Sequence, residues 1–129
     1  MKRGGRKPMS AAAKAAHKEW TLNVTSAFTC ELQQFFYHVC DGPVDACHII
    51  PKRFLKDATL GWPEEDALRV IFDCRNGMAG CRKAHDKLDG PYCPVTFDQL
   101  PLGVLEFAAE HGMTWKLEKM YPPKDQVAA

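Results

Sequence analysis

The segment Asp45-Ala-Cys-His-Ile-Ile-Pro51 is an apolar run that carries a histidine and stops at a proline, a residue that cannot donate to a strand ladder. A second block follows, Asp73-Cys-Arg-Asn-Gly-Met-Ala-Gly-Cys-Arg-Lys-Ala-His-Asp-Lys-Leu-Asp89. It contains Asn76 and, nine residues later, His85. Imidazole, amide and carboxylate groups bind cations and activate water. The two blocks therefore predict a strand and a helix that share a metal site.

Periodicity and turn residues predict the other elements around these blocks. Strands or extended segments are predicted over 22–28, 44–50 and 67–72, and 30–40 is ambiguous between helix and strand with a slight preference for extended structure. Helices are predicted over 11–20 with Ser10 as the N-cap, over 76–88 with Gly90 as the stop, and over 100–110. The stretch 52–65 is predicted to be a loop or short helix, and 114–120 a strand or short helix.

Length and composition predict one small α+β domain. A chain of 129 residues with 46% apolar residues can bury one modest core but not two. It contains no run of eighteen apolar residues and no apolar segment typical of a secretory signal near Met1. We therefore expect a soluble, cytoplasmic protein with no membrane partner, composed of an arm over 1–9, a domain over 10–121 and a tail over 122–129.

Charge is distributed unevenly along the chain. The first eighteen residues contain six basic and no acidic side chains, whereas the remainder has 11 basic and 16 acidic ones. A basic arm of this kind suits contact with phosphates, although composition alone fits a disordered, solubilising terminus equally well. The arm residues that we consider for DNA contact are Lys2, Arg3, Arg6 and Lys7.

The order of these side chains resembles that of the HNH endonucleases, also called His-Me finger or ββα-metal nucleases. The residues that carry the resemblance are His48, Ile49, Pro51, Asn76, Cys81 and His85, and it covers about positions 30 to 90. It implies a ββα-metal core with flanking helices. The short length and the Asp-x-Arg-Asn-Gly block resemble the stand-alone HNH proteins of bacteriophages, some of which act beside the packaging machinery. Recombination and junction-resolving nucleases are a narrower option.

The resemblance implies a role for each residue of the site. His48 corresponds to the general base, and Asn76 to the residue that either orients the base or joins the metal shell. His85 corresponds to a metal ligand, and Asp89 stands where the family often has a second histidine. His85 and Asp89 are four residues apart, so on a helix they share a face and can bind one cation.

Cys47 departs from the family pattern, because the position before the base usually holds His or Asp as a metal ligand. A thiolate at this position would favour zinc, whereas carboxylates favour magnesium or manganese. Asp45 lies on the same face of a strand as Cys47 and could replace it. The predicted catalytic cation is thus Mg²⁺ or Mn²⁺, with Zn²⁺ as an alternative.

The six cysteines form no Cys-x-x-Cys pair. Many relatives hold a structural zinc with two such pairs, and the matching places here retain Cys30 and Cys81 alone. Cys40, Cys74 or Cys93 could complete a rearranged zinc site, but we favour burial of these three as small apolar residues.

Basic side chains near the motifs predict contact with DNA phosphates. The domain residues that we consider for DNA contact are Lys52, Arg53, Arg75, Arg82 and Lys83, and Lys56, Arg69 and Lys87 lie in the same cluster. The sequence therefore predicts a metal-dependent HNH endodeoxyribonuclease whose partners are DNA and, if it is phage-encoded, packaging or recombination proteins in the host cytoplasm. The alternative is a non-catalytic, metal-stabilised DNA-binding or assembly module. No small-molecule cofactor is expected.

Overall fold

The structure is a computed structural model that describes residues 9–40, 42–90 and 93–123. The predicted arm residues Lys2, Arg3, Arg6 and Lys7 lie outside the described residues, as do positions 124–129 of the predicted tail.

The described chain contains six α-helices and one two-stranded antiparallel sheet, which confirms a mixed α+β fold. In chain order the elements are α1 (Ala11–Val24), β1 (Val44–His48), α2 (Lys52–Ala58), α3 (Glu64–Ile71), β2 (Gly77–Cys81), α4 (Arg82–Asp89), α5 (Leu102–Glu110) and α6 (Thr114–Met120). Short 3₁₀ turns occur at Glu31–Gln34, Cys74–Asn76 and Phe97–Gln99. No described helix is long and apolar enough to cross a membrane.

The first helix begins as predicted and ends later. The Ser10 hydroxyl accepts a hydrogen bond from the Ala13 amide at 3.0 Å, and the alanine-rich sequence that follows has high helix propensity. The helix continues to Val24, so the extended segment predicted over 22–28 is wrong there. The reason is tertiary, because helical spacing lets Trp20 and Val24 both pack against β2 at Gly77.

The sheet consists of β1 and β2, and its register pairs Val44 with Cys81 and His48 with Gly77. Strand β1 confirms the prediction over 44–50 except at its last two residues. Strand β2 lies inside the segment predicted as a helix over 76–88, so only the second half of that prediction is correct. Helix α4 begins directly after Cys81, later than predicted, and ends at Asp89 before Gly90, the predicted stop.

The predicted strand over 67–72 is wrong, because those residues belong mainly to α3. Pro63 precedes this helix, and Glu64, Glu65 and Asp66 occupy its first turn, where negative charge interacts favourably with the helix dipole. The apolar residues Val70 and Ile71 are buried at its end. Their β-branched side chains suggested a strand, but the acidic N-terminus and the packing of one face determine the helix.

The C-terminal helices and the segment 30–40 complete the described chain. Helix α5 confirms the prediction over 100–110, and α6 shows that 114–120 is helical. The segment 30–40 has a single 3₁₀ turn and no strand, so the slight preference for extended structure was wrong over Glu31–Gln34. After α6, the Tyr121 hydroxyl donates a 2.6 Å hydrogen bond to the Ile49 carbonyl and so attaches the C-terminal helices to the end of β1.

The close contact between α1 and β2 gives a test of this packing. A Cβ on Gly77 would lie 2.6 Å from Val24 Cγ2 and 3.0 Å from Trp20 Cζ2. We expect Gly77→Ala to lower the free energy of unfolding by about 1 to 3 kcal/mol in urea denaturation, because the helix must shift. Gly103→Ala is the control, since its new methyl would meet nothing closer than 3.7 Å and alanine suits a helix. Equal stability of the two variants would contradict the described docking of α1.

Candidate functional site

An open cavity of about 880 Å³ lies between β1, α2, α4 and the end of α6. The polar and charged side chains among its lining residues are His48, Lys52, Arg53, His85 and Asp89, with Cys93 and Tyr121 beside them. Five of the predicted domain positions, His48, Lys52, Arg53, His85 and Asp89, thus meet in one place although the sequence separates them by up to 41 residues.

His48 closes β1, and its orientation determines its tautomer. Its Nε2 lies 2.8 Å from the Ile71 carbonyl oxygen, which can only accept a hydrogen bond. Nε2 therefore carries the proton, and Nδ1 of the neutral ring keeps its lone pair. The indole of Trp20 stacks on the imidazole with ring centroids 4.1 Å apart and an interplanar angle of 19°. The ring is thus held from two sides.

The protonation state of His48 follows from its surroundings. Burial lowers the pKa of His48 to about 4, with Lys52 adding to the effect and the hydrogen bond to Ile71 opposing it. At neutral pH the imidazole is therefore uncharged. An uncharged histidine with a free lone pair is the form that can remove a proton from water.

Asn76 is fully buried, and its side chain binds the backbone of Ile50, two residues after His48. Its Oδ1 accepts a hydrogen bond from the Ile50 amide at 2.7 Å, and its Nδ2 donates to the Ile50 carbonyl at 2.9 Å. These bonds go to the backbone and not to the imidazole. The side chain therefore fixes the turn that follows β1, and any influence on His48 is transmitted through that turn.

His85 lies between two carboxylates. Its Nδ1 is 3.2 Å from Asp45 Oδ2, and its Nε2 is 3.1 Å from Asp89 Oδ2. The contact with Asp89 joins residues one helical turn apart, as the spacing predicted. Because the carboxylates occupy opposite edges of the ring, a cation that binds here must displace at least one of these contacts.

Cys47 and Asp45 are separated by the structure. The Cys47 side chain is fully buried in the core and does not line the cavity. Burial raises the pKa of Cys47 to about 12, and the nearby Asp89 and Asp45 carboxylates add to this. A neutral buried thiol is a poor ligand, whereas Asp45 is only partly buried and already contacts His85.

A second cluster lies at the other end of β2. Ligand atoms of Cys30, His38, Cys40 and Cys81 all lie within 4.8 Å of one another, and within the described ranges no other group of three or more His, Cys, Asp or Glu side chains does so. His38 Nε2 is 3.4 Å from both the Cys30 and the Cys40 sulfur atoms. Three cysteines and one histidine are a common tetrahedral ligand set for zinc. The structure thus contains a candidate Cys₃His metal site.

The backbone prepares His38 for this arrangement. Its Nδ1 lies 3.1 Å from the Phe36 carbonyl oxygen, so that nitrogen carries the proton and Nε2 presents a lone pair to the sulfur atoms. Desolvation, with the neighbouring Cys30 and Cys81 sulfurs, raises the pKa of Cys40 to about 11. The Cys40 thiol therefore remains protonated without a cation, and binding of a metal ion would release its proton.

Sequence reasoning found part of this cluster. Cys30 and Cys81 were the two retained knuckle positions, and Cys40 was one of three candidates to complete the set. The preferred alternative, burial, is wrong for Cys40 and Cys74, which are both exposed, and Cys93 is only partly buried. His38 was missed. The available signal was the His38-Val-Cys40 spacing, which places two ligands side by side on one loop.

The predicted basic residues divide into three groups. Lys52 and Arg53 line the cavity. Arg82 is 3.2 Å from Asp45, and the Arg75 guanidinium pairs with Asp73 at 2.8 Å and with Glu110, so both have acidic partners. Lys83 lies on another side of α4. Of the predicted basic residues, Lys52 and Arg53 are therefore the two that line the cavity.

Comparisons with models of protein families, with curated proteins and with solved structures found no match for this chain.

The Cys₃His cluster predicts a tightly bound soft metal ion. We expect Cys40→Ala to weaken Co²⁺ or Zn²⁺ binding by more than about 100-fold, since loss of a direct ligand should exceed the effect of losing an outer hydrogen bond. Cys74→Ala is the matched control, because Cys74 is also exposed but lies outside the cluster. Titration of metal-free protein with Co²⁺, followed by thiolate absorbance, measures this. Identical curves for the two variants would exclude the cluster as the binding site.

Proposed function

We propose that this protein is a metal-dependent endonuclease of the HNH type that hydrolyses phosphodiester bonds in DNA. The observation that carries the proposal is the state of His48. Its imidazole is neutral, its Nε2 donates a hydrogen bond to the Ile71 carbonyl, and its Nδ1 keeps a lone pair that can accept a proton. It lines the same cavity as His85 and Asp89. A purely structural site would need no such base.

In this mechanism Nδ1 of His48 takes a proton from the water that attacks the phosphorus atom. The Ile71 carbonyl and the Trp20 ring hold the imidazole in the tautomer and orientation that this transfer needs. Lys52 and Arg53 at the cavity wall bind the flanking phosphates. The water that loses its proton thereby becomes the nucleophile, and the 3′ or 5′ oxygen leaves from the opposite side of the phosphorus.

His85, together with Asp45 or Asp89, would hold the catalytic cation. When bound, it would stabilise negative charge on the phosphate and on the leaving oxygen. By donor type the imidazole and carboxylates suit Mg²⁺ or Mn²⁺, and a thiolate from the buried Cys47 is not available to favour zinc. Because Asp45 and Asp89 contact opposite nitrogens of the ring, the cation would bind one ring nitrogen together with the carboxylate beside it. The Cys₃His cluster has the opposite character and would hold Zn²⁺ as a structural ion.

The resemblance to stand-alone phage proteins also supports the finer part of the proposal. On that basis the enzyme is phage-encoded, acts in the host cytoplasm and works beside the packaging or recombination machinery. The basic residues around the cavity fit a DNA substrate in either setting.

A non-catalytic, metal-stabilised DNA-binding or assembly module is the second candidate. The observation that favours it is the Cys₃His cluster, which needs no catalysis to explain it. The two candidate functions make different demands on His85. A nuclease needs His85 to bind a catalytic cation, whereas in this structure both of its ring nitrogens contact carboxylates. Nicking of supercoiled plasmid by the zinc-loaded protein, with Mg²⁺ or Mn²⁺ added, discriminates between them.

For the base, we expect His48→Ala to reduce plasmid nicking about 10²- to 10⁴-fold while metal binding stays near wild type, because a general base contributes to the rate and little to ground-state affinity. His111→Ala is the control, since His111 contacts Phe107 and does not line the cavity. Full activity in purified His48→Ala protein would refute the assignment of the base.

For the cation, calorimetric titration of zinc-loaded protein with Mn²⁺ should show binding weakened about 10-fold or more in His85→Ala and in Asp45→Ala, and less in Asp89→Ala, whose carboxylate is more exposed. Cys47→Ala should bind Mn²⁺ like wild type because its sulfur is buried away from the cavity. Wild-type affinity in the His85 variant, or a loss confined to the Cys47 variant, would contradict the proposed ligand set.

A further inference from the structure

A groove of about 510 Å³ lies on the side of α4 away from the active-site cavity. Its lining residues are Phe36, Tyr37, Lys83, Asp86, Lys87, Gly90 and Pro94. Along α4, positions 83, 86 and 87 share one face, whereas His85, Leu88 and Asp89 share the face that lines the cavity. One short helix therefore separates the two concave surfaces.

The groove displays an aromatic ring in an unusual position. Tyr37 is 88% exposed, although a tyrosine normally buries most of its ring. Its neighbour Phe36 is half-buried and forms the inner wall. An exposed ring held over a concave surface is a platform on which another planar ring can stack.

The charges beside the ring are mainly positive. Lys83 and Lys87 both line the groove, and Lys87 Nζ lies 5.9 Å from the centroid of the Phe36 ring. Asp86 also lines the groove and would repel a phosphate placed next to it. The arrangement thus suits a ligand with an aromatic part over Tyr37 and an anionic part near the lysines.

The loop that carries the aromatic residues belongs to the Cys₃His cluster. His38 and Cys40 immediately follow Tyr37, and His38 Nδ1 is bonded to the Phe36 carbonyl. A cation held by these ligands would fix the backbone on both sides of Tyr37 and join it to Cys81, the residue before α4. A cation in the cluster would therefore hold the loop with Phe36 and Tyr37 against helix α4.

We propose that this groove binds one unpaired nucleotide of the nucleic acid substrate, with its base stacked on Tyr37 and its flanking phosphates bound by Lys83 and Lys87. The inference rests on the proposed function in so far as the substrate is a nucleic acid. Helix α4 separates the groove from the cavity that His48 lines, so the unpaired nucleotide would lie beside the segment that occupies the cavity. The protein therefore prefers DNA with a single-stranded segment next to the cut.

Fluorescence anisotropy with labelled single-stranded and duplex oligonucleotides tests the proposal, without divalent ions so that cleavage does not interfere. We expect Tyr37→Ala to bind single strands about 10-fold more weakly than wild type, and duplex DNA almost equally well. Tyr37→Phe should retain binding because the ring remains. Trp115→Ala is the control, since Trp115 is an exposed aromatic residue on α6 that does not line the groove.

Two further arms test the lysines and the metal. Lys87→Ala should lower the slope of log affinity against log salt for single strands by about 0.7, as expected for the loss of one phosphate contact. Removal of the soft metal ion should weaken single-strand binding as much as Tyr37→Ala does, with no further loss in metal-free Tyr37→Ala protein. Tyr37 is exposed, so its replacement leaves the fold intact.

The outcomes separate this inference from the proposed function. Wild-type single-strand affinity in Tyr37→Ala would overturn the groove while leaving an active nuclease in place. An equal loss on duplex and single strands would overturn the preference for an unpaired nucleotide. If the wild-type protein binds neither form of DNA but its groove binds an acidic peptide in a Tyr37-dependent way, the ligand class assigned here is wrong. Failure to nick plasmid, with Tyr37-dependent single-strand binding retained, would refute the nuclease alone.

Discussion

The hydrogen bonds between Asn76 and the segment Ile49–Ile50 are the constraint on which the candidate sites depend. The Asn76 side chain bonds both polar backbone groups of Ile50, and its own carbonyl accepts a bond from the Ile49 amide at 3.1 Å. All of these groups are buried, so loss of the amide would leave backbone donors and acceptors without partners, at a cost of about 1 to 3 kcal/mol for each. They connect the two sequence blocks at the point where β1 ends and β2 begins.

The contacts that position His48 lie around this connection between the two strands. The register of the two strands places His48 opposite Gly77, and the absence of a side chain at Gly77 admits Trp20, which stacks on the imidazole. On the other side, the Tyr121 hydroxyl bonds the Ile49 carbonyl. The N-terminal and C-terminal helices thus both converge on the residues around the imidazole, which explains why a short chain can hold it in one tautomer.

The two candidate centres differ in their donors and are mechanically linked. The cavity offers imidazole and carboxylate groups, which bind hard cations, and the Cys₃His cluster offers thiols and imidazole, which bind softer ones. Cys81 ends β2 and directly precedes the helix that carries His85. An ion at the cluster would therefore fix the start of α4 and, through α4, one wall of the cavity and one wall of the groove beside Tyr37.

The sequence alone determined the residues with local physical signatures. The Ser10 cap, the strand before Pro51, the stop at Gly90 and the pairing of His85 with Asp89 each depend on interactions within a few residues, so pattern and spacing predicted them. Tertiary structure decided the rest. Strand β2 is a strand because its glycines accept Trp20 and Leu32 from distant segments, and α3 is a helix despite its β-branched residues because one face packs on the core. His38 joined the cysteines, and Cys47 was buried away from the cavity, because chain segments up to 51 residues apart meet there, and such long-range contacts leave no local pattern.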